Sequence, residues 1–323
     1  MSEQLKHECG IVLIRLLKPL EYYQEKYGTW RYGLNKLLME KQHNRGQDGA
    51  GVANLKIDQP SGKKYFFRER SNLTNPIQDV FKRIFKHFAY DDDHHPELFQ
   101  NPAWAKENMP FAGELYLGHL RYGTFGNDAL DYVHPVMREN NWRSRNLVLA
   151  GNFNLTNTDE IYNALVELGQ HPKDYSDTVS ILENVGHFLD EENQLLFRQF
   201  KNEGYSNREI SALIEKSLDV RKILERSSRR WDGGYVIGGL FGHGDAFVMR
   251  DPNGIRPASY YMDDEIVVVA SERPVIQTAL NVRACEVQEL KPGNALIIKK
   301  DGRVSDEVVN VPHERRSCSF ERI

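Results

Sequence analysis

The sequence predicts an α+β protein, and three observations carry that prediction. Apolar residues recur at helical spacing at Ile77, Val80, Phe81, Ile84, Phe85 and Phe88, one face of a three-turn helix. From residue 233 onward the pattern becomes short alternating runs separated by GHGD, DPNG, DD, KPG and DG, the turn chemistry of an antiparallel meander. An apolar strand also opens the chain at 9–17. Strands therefore stand at both ends, and the two sets can belong to one fold.

The remaining elements follow in order. Residues 31–43 put Leu34, Leu37 and Leu38 on one helical face ahead of Gly46, and GAGVANLK at 49–56 reads as a second strand. The stripe at 77–88 is core. DDDHHPELFQNPAWAKENMPFA at 91–112 contains two prolines in its interior and a third near its end and reads as an irregular surface insertion. Its His94 and His95, beside the aspartates at 91–93, read as solvated residues and no metal is expected there. Strands resume at 115–122 and 146–152. Helices follow at 158–168 and 177–189, and a long one begins near Ser206, where Ser206 and Glu209 have the spacing of a capping box. MDDEIVVVAS at 262–271 reads as a hairpin turn and lacks the glycine and hydroxyl residues that cradle phosphates.

Composition bounds the function. The 323 residues are 40% hydrophobic, 11% aromatic and 27% charged, which describes a globular chain able to bury a large core. A net charge of -4 supplies no basic field for nucleic acid. No apolar stretch approaches ~18 residues and the first eight residues lack an apolar signal region, so neither membrane span nor signal peptide is expected. Cys9, Cys285 and Cys318 are too far apart for a CxxC pair or a disulfide ladder, and a reducing compartment, the cytoplasm, is expected.

Cys9 raises the sharpest question. A free cysteine at the mouth of a strand is often a small buried hydrophobe. If the first eight residues were removed, however, Cys9 would carry a thiol and an α-amine on one residue, and an amine of pKa ~7.7 to 8.0 can serve as the local base. A nucleophile attacking a carbonyl also needs oxyanion donors, each typically worth about 2.7 to 4 kcal/mol. A substrate with amino and carboxylate groups needs in addition an arginine fork and an acid.

Those residue types occur in HNRGQDGAG at 43–51, GHLRYGTFG at 118–126, AGNFNLTN at 150–157 and SDTVSIL at 176–182. Together with ECGI at the start, they resemble the glutaminase domain of amidophosphoribosyltransferase, a class II glutamine amidotransferase of the N-terminal-nucleophile hydrolase fold. FVMRDPNGIRP at 247–257, VVASE at 268–272 and LKPGNALII at 290–298 resemble that branch in particular. The resemblance implies a four-layer αββα sandwich. It implies Cys9 as nucleophile, with its own amine as base, and Asn152 and the backbone N–H of Phe153 as oxyanion donors. Arg121 would grip the glutamine α-carboxylate with Thr124 in the same pocket, Asp177 would accept the α-ammonium, and Arg45 and Gly46 would support the wall around the nucleophile.

The resemblance also divides the chain. Residues 1–8 form a leader ending in Glu8 that self-cleavage would remove, 9–312 the glutaminase domain, and 313–323 the start of a junction to a phosphoribosyltransferase domain. Mg2+ is expected only for that further domain. No cofactor is expected in this chain, and Cys318 is expected to hold no iron–sulfur cluster. The partners expected are L-glutamine, the transferase domain and further copies of the chain. Phe153 stands where the family has a glycine able to take positive φ, a region that phenylalanine rarely tolerates. Gly151 stands where the family has His, Asn44 replaces another family His with His43 one place earlier, and 18–32 and 91–112 are extra segments. The rival readings are another class II enzyme, of the glucosamine-phosphate or asparagine synthetase kind, and a non-catalytic glutamine-binding scaffold.

Overall fold

A computed structural model describes residues 8–37, 39–123 and 130–316. The strands are β1 (Gly10–Leu16), β2 (Gly49–Leu55), β3 (Phe66–Ser71), β4 (Leu115–Arg121), β5 (Val136–Arg138), β6 (Leu147–Leu155) and β7 (Gly233–Phe241), then β8 (Ala246–Arg250), β9 (Ser259–Met262), β10 (Ile266–Ala270), β11 (Gln288–Glu289), β12 (Asn294–Ile298) and β13 (Val304–Val308). The helices are α1 (Leu20–Tyr27), α2 (Tyr32–Asn35), α3 (Pro76–His94), α4 (Pro96–Phe99), α5 (Pro102–Asn108), α6 (Thr158–Glu167), α7 (Asp177–Asn202), α8 (Asn207–Ser217), α9 (Val220–Ser228) and α10 (Arg273–Leu280).

Two antiparallel sheets form, in the orders β11-β9-β10-β1-β4-β2-β3 and β13-β12-β8-β7-β6-β5. The first sheet thus joins the opening strand to strands 250 residues downstream, with Val12 opposite Ala270 and Leu16 opposite Ile266. The two-residue period of the strands sorts side chains into layers. On β1, Ile11 and Leu13 enter the core between the sheets with Val148, Val236 and Leu296, while Val12, Ile14 and Leu16 pack outward against Tyr23, Val80 and Ile84 of the first helix layer. On the second sheet, Leu149 and Ile237 face Ile181, Val185 and Ile223 of α7 and α9. The result is the αββα sandwich.

Three elements depart from the sequence pattern. The predicted helix over 31–43 is interrupted: α2 ends at Asn35 and a 3-10 turn runs over Glu40–Arg45. The intervening chain hugs the sheet, because Gly118 has no side chain and Leu37 and Met39 occupy its place. Leu38 lies outside the described residues. The segment 91–112 is neither irregular nor superficial. The helix α3 runs on to His94, and Pro96 and Pro102 each open a short helix at the first position, where proline's missing N–H costs nothing. Phe99, Ala105 and Phe111 are buried, and Phe99 takes the indole N–H of Trp30 on its carbonyl at 2.7 Å. The two extra segments thus clasp each other over the first sheet. The helix from Ser206, capping box included, stops at Ser217, since Leu218 turns extended and Asp219 caps α9 instead.

The aspartates of MDDEIV do form the β9–β10 turn. The Asp263 carboxylate accepts the N–H groups of Glu265 and Ile266 at 2.8 and 2.9 Å. No described helix is long and apolar enough to cross a membrane.

Candidate active site

Strand register assembles the site. Next to the start of β1, Gly10 lies opposite Leu120 and Ile11 opposite His119. His119 and Arg121 continue the face of β4 that carries Leu115 and Leu117 into the space between the sheets, Cys9 continues the face of Ile11, and Asn152 that of Val148 and Ala150. The N-terminus of α7 approaches this end, bringing Asp177 as its first residue. The Ser176 hydroxyl caps that helix by accepting the Val179 N–H at 3.3 Å. A cavity of about 100 Å³ results, walled by Cys9, His119, Arg121, His134, Phe153 and Asp177 among others.

The Cys9 sulfur accepts the Tyr122 N–H at 3.3 Å, and its carbonyl accepts Arg45 Nε at 3.1 Å. Arg45 is braced in turn by Glu272 at 3.2 Å. Burial pushes the thiol pKa up; the Tyr122 N–H and the cations Arg256 and Arg45 pull against it, and Glu8 adds to it. Glu8 is ion-paired with Arg256. The DPNG turn fixes Arg256: Asp251 accepts the N–H groups of Asn253, Ile255 and Arg256 at 3.0, 2.9 and 3.1 Å, while Arg250 Nε donates to the Arg256 carbonyl at 2.6 Å. Across the cavity the Asp177 carboxylate accepts the Thr178 N–H at 2.7 Å. Burial raises its pKa, and no cation among the described residues forms a salt bridge with it.

Arg45 and Gly46 stand behind the cavity rather than in its wall. A methyl on Gly46 would lie 2.6 Å from both C and O of Arg121, so glycine is required here by the approach of two backbones. Gly46→Ala is expected to cost about 1 to 3 kcal/mol by overpacking and to lower glutamine turnover in the folded fraction, because the displaced atoms belong to Arg121. Urea unfolding and kinetics on one preparation check this. Asn152 is buried in β6 opposite Val236, and the described residues lining the cavity do not include it. Thr124, Cys318 and residues 1–7 lie outside the described residues.

The two departures at 151 and 153 are one packing solution. A Cβ on Gly151 would meet the Phe153 ring at 2.5 Å, and that ring stacks on His134 with centroids 5.2 Å apart. Phe153 lies within β6 opposite Tyr235 and is not among the described residues with positive φ. The Gly151 N–H donates to His134 Nδ1 at 3.3 Å and the Gly151 carbonyl accepts His119 Nε2 at 3.1 Å, on the edge that β5 leaves uncovered after pairing Val136 with Leu149. Strand N–H and C=O groups alternate sides residue by residue. The Phe153 N–H therefore points to that same edge, toward the cavity, and not into the ladder with β7.

The sequence reading missed the imidazole pair, His119 and His134, whose centroids are 4.4 Å apart. His119 stands two residues before Arg121 inside GHLRYGT, so strand alternation alone places it on the same face; His134 gives no such signal. Burial and the nearby Arg121 cation push the His134 pKa down to about 4, and burial and His134 hold His119 well below 6.5. An unfolded chain takes up the His134 proton below about 6.5, the folded chain only near 4, so the stability His134 contributes is whole above 6.5 and lost as the pH falls between them; His119 acts in the same direction. His134 alone accounts for about 2 to 3 kcal/mol between pH 7.5 and 4.5. Unfolding curves across that range should fall more steeply for the parent than for His134→Gln.

The αββα sandwich is of the N-terminal-nucleophile hydrolase type, with a cysteine at the mouth of a central strand and a guanidinium and a carboxylate across one small cavity. The profile of the "Glutamine amidotransferases class-II" matches residues 201–314. Over 99% of its length the chain is 28% identical to amidophosphoribosyltransferase of Bacillus subtilis, covering 52% of that protein, and over its full length 24% identical to the enzyme of Methanothermobacter thermautotrophicus, covering 53%. The solved glutamine phosphoribosylpyrophosphate amidotransferase of B. subtilis, complexed with ADP and GMP, shares the fold with a TM-score of 0.61 at 21% identity, covering 97% of this chain and 52% of its own. Along its whole length the chain is similar to amidophosphoribosyltransferases, and its residues 201–314 match the class II glutamine amidotransferases. It spans about half the length of the curated relatives it matches.

Proposed function

We propose that this chain hydrolyses L-glutamine to glutamate and ammonia through a thioester on Cys9, and that the ammonia passes to a phosphoribosyl site on a C-terminal transferase domain to make phosphoribosylamine for purine synthesis. The observation that carries the reading is the convergence of Cys9, Arg121 and Asp177 on one cavity. Arg121 and Asp177 offer the two charges that an amino acid's α-carboxylate and α-ammonium require. The raised thiol pKa means that the sulfur needs a base to lose its proton, and removal of residues 1–8 would supply one as the Cys9 α-amine.

In this mechanism the amine takes the thiol proton and the sulfur attacks the side-chain carbonyl carbon. The oxyanion is met by the Asn152 amide and the Phe153 N–H. Collapse expels ammonia with the proton returned by the amine, and water then cleaves the thioester to glutamate. Arg45 fixes the nucleophile's carbonyl, Gly46 seats the Arg121 backbone, and Thr124 completes the pocket. Residues 9–312 act as the glutaminase domain and 313–323 lead toward the transferase domain, whose Mg2+ lies outside this chain; the assembly is a cytoplasmic homo-oligomer. A glutamine-shaped diazoketone, which alkylates an activated thiolate, tests the reading. Mass spectrometry is expected to find residues 1–8 absent and the adduct on Cys9, with glutamate release lost in proportion. Labelling elsewhere, or none on a protein that still releases glutamate, overturns it.

A further inference from the structure

His119 is only 1% exposed and forms part of the cavity wall with Cys9, Arg121 and Asp177. Its Nε2 faces the Gly151 carbonyl at 3.1 Å. A carbonyl can only accept, so Nε2 carries the proton and Nδ1 of the neutral ring presents a lone pair. That Nδ1 is buried and has no hydrogen-bond partner among the described residues. A buried acceptor left unmade is costly, and the ring that carries this one is part of the cavity wall.

We propose that His119 selects the side-chain amide of the substrate: Nδ1 accepts a hydrogen bond from the carboxamide N–H and so distinguishes glutamine from glutamate. The inference rests on the glutaminase reading. With the α-groups taken by Arg121 and Asp177, the donors left on glutamine are those of the carboxamide nitrogen. A γ-carboxylate in the same place has no hydrogen to offer and sets oxygen lone pairs against nitrogen. Burial, with the neighbouring His134 and Arg121 adding to it, keeps the ring from gaining a proton that would reverse this preference. His119 thereby favours entry of the substrate and departure of the product. It acts as a specificity residue and takes no part in bond breaking.

The test compares the glutamate inhibition constant with kcat/KM for glutamine in the processed enzyme and in two variants. His119→Gln keeps a donor for the Gly151 carbonyl and removes the acceptor; His119→Asn puts an amide, able to donate or accept, near the place of Nδ1. In both, discrimination of glutamine over glutamate should fall about ten- to a hundred-fold, with glutamate binding unchanged or tighter. Loss of both ligands in step, with the ratio preserved, overturns the proposal and leaves His119 a structural residue. If neither variant folds, imidazole 15N spectra of the parent decide: the His119 Nδ1 signal should shift when a non-hydrolysable glutamine isostere binds and stay in place with glutamate, and equal behaviour overturns the proposal. A parent that binds neither amino acid sinks the glutaminase reading itself, whereas an active parent with unchanged selectivity in the variants sinks only this one.

Discussion

Cys9→Ala should reduce glutamine hydrolysis by about 10⁴-fold or more and leave residues 1–8 attached, with the melting temperature little changed. The thiol sits at the mouth of β1, and its hydrogen bonds are two weak sulfur contacts with the Tyr122 backbone, accepting the N–H at 3.3 Å and donating to the carbonyl at 3.8 Å; its removal takes away those two and a small apolar surface. In the proposed mechanism both chemical events, the self-cleavage after Glu8 and the attack on glutamine, would need the sulfur. Intact mass and glutamate release measured together on the variant check the two at once. Normal turnover would return Cys9 to the class of buried structural cysteines.

Arg121→Lys and Asp177→Asn should each lower kcat/KM for glutamine by about ten- to a hundred-fold or more, since a charge-assisted hydrogen bond is worth roughly 1.5 to 3 kcal/mol. Lysine keeps the charge of Arg121 but cannot reproduce the planar two-point contact with a carboxylate. Asparagine keeps the shape of Asp177 and can still accept the Thr178 N–H at the start of α7, so the fold has little reason to suffer. The expected signature is a raised KM in proteins that melt normally. Reduced stability with ordinary kinetics on the folded fraction would make the two charges structural.

How much of this was legible in the sequence follows from the range of the forces involved. Strand alternation and helical stripes are local, so β1, β2, β4, β6 and the stripe of α3 could be read directly, as could the capping box at Ser206. The motifs that carry Cys9, Arg121 and Asp177 could be read because each needs a specific functional group. The clasp of 18–32 with 91–112 could not, because it depends on Trp30 meeting Phe99 across 69 residues, and prolines that open helices look in sequence like prolines that end them. Nor could the sequence show that Gly151 and Phe153 compensate each other: each looks like a lost family residue until the ring is seen occupying the space beside the glycine. His134 carries no motif at all and reaches the site only through the chain's path back to β6.

The ion pair between Glu8 and Arg256 gives leader removal an electrostatic meaning as well as a covalent one. Of the charges acting on the Cys9 thiol, Glu8 holds the proton on, while Arg256 and Arg45 help it off. Self-cleavage after residue 8 would carry the anion away and leave both cations anchored, Arg256 by the Arg250–Asp251 turn and Arg45 by Glu272. The cut that exposes the amine would therefore also make the neighbouring thiol more acidic. On the proposed reading the leader would act as a safety catch toward substrate: with Glu8 in place the sulfur holds its proton more tightly, and the one hydrolysis would arm base and nucleophile together.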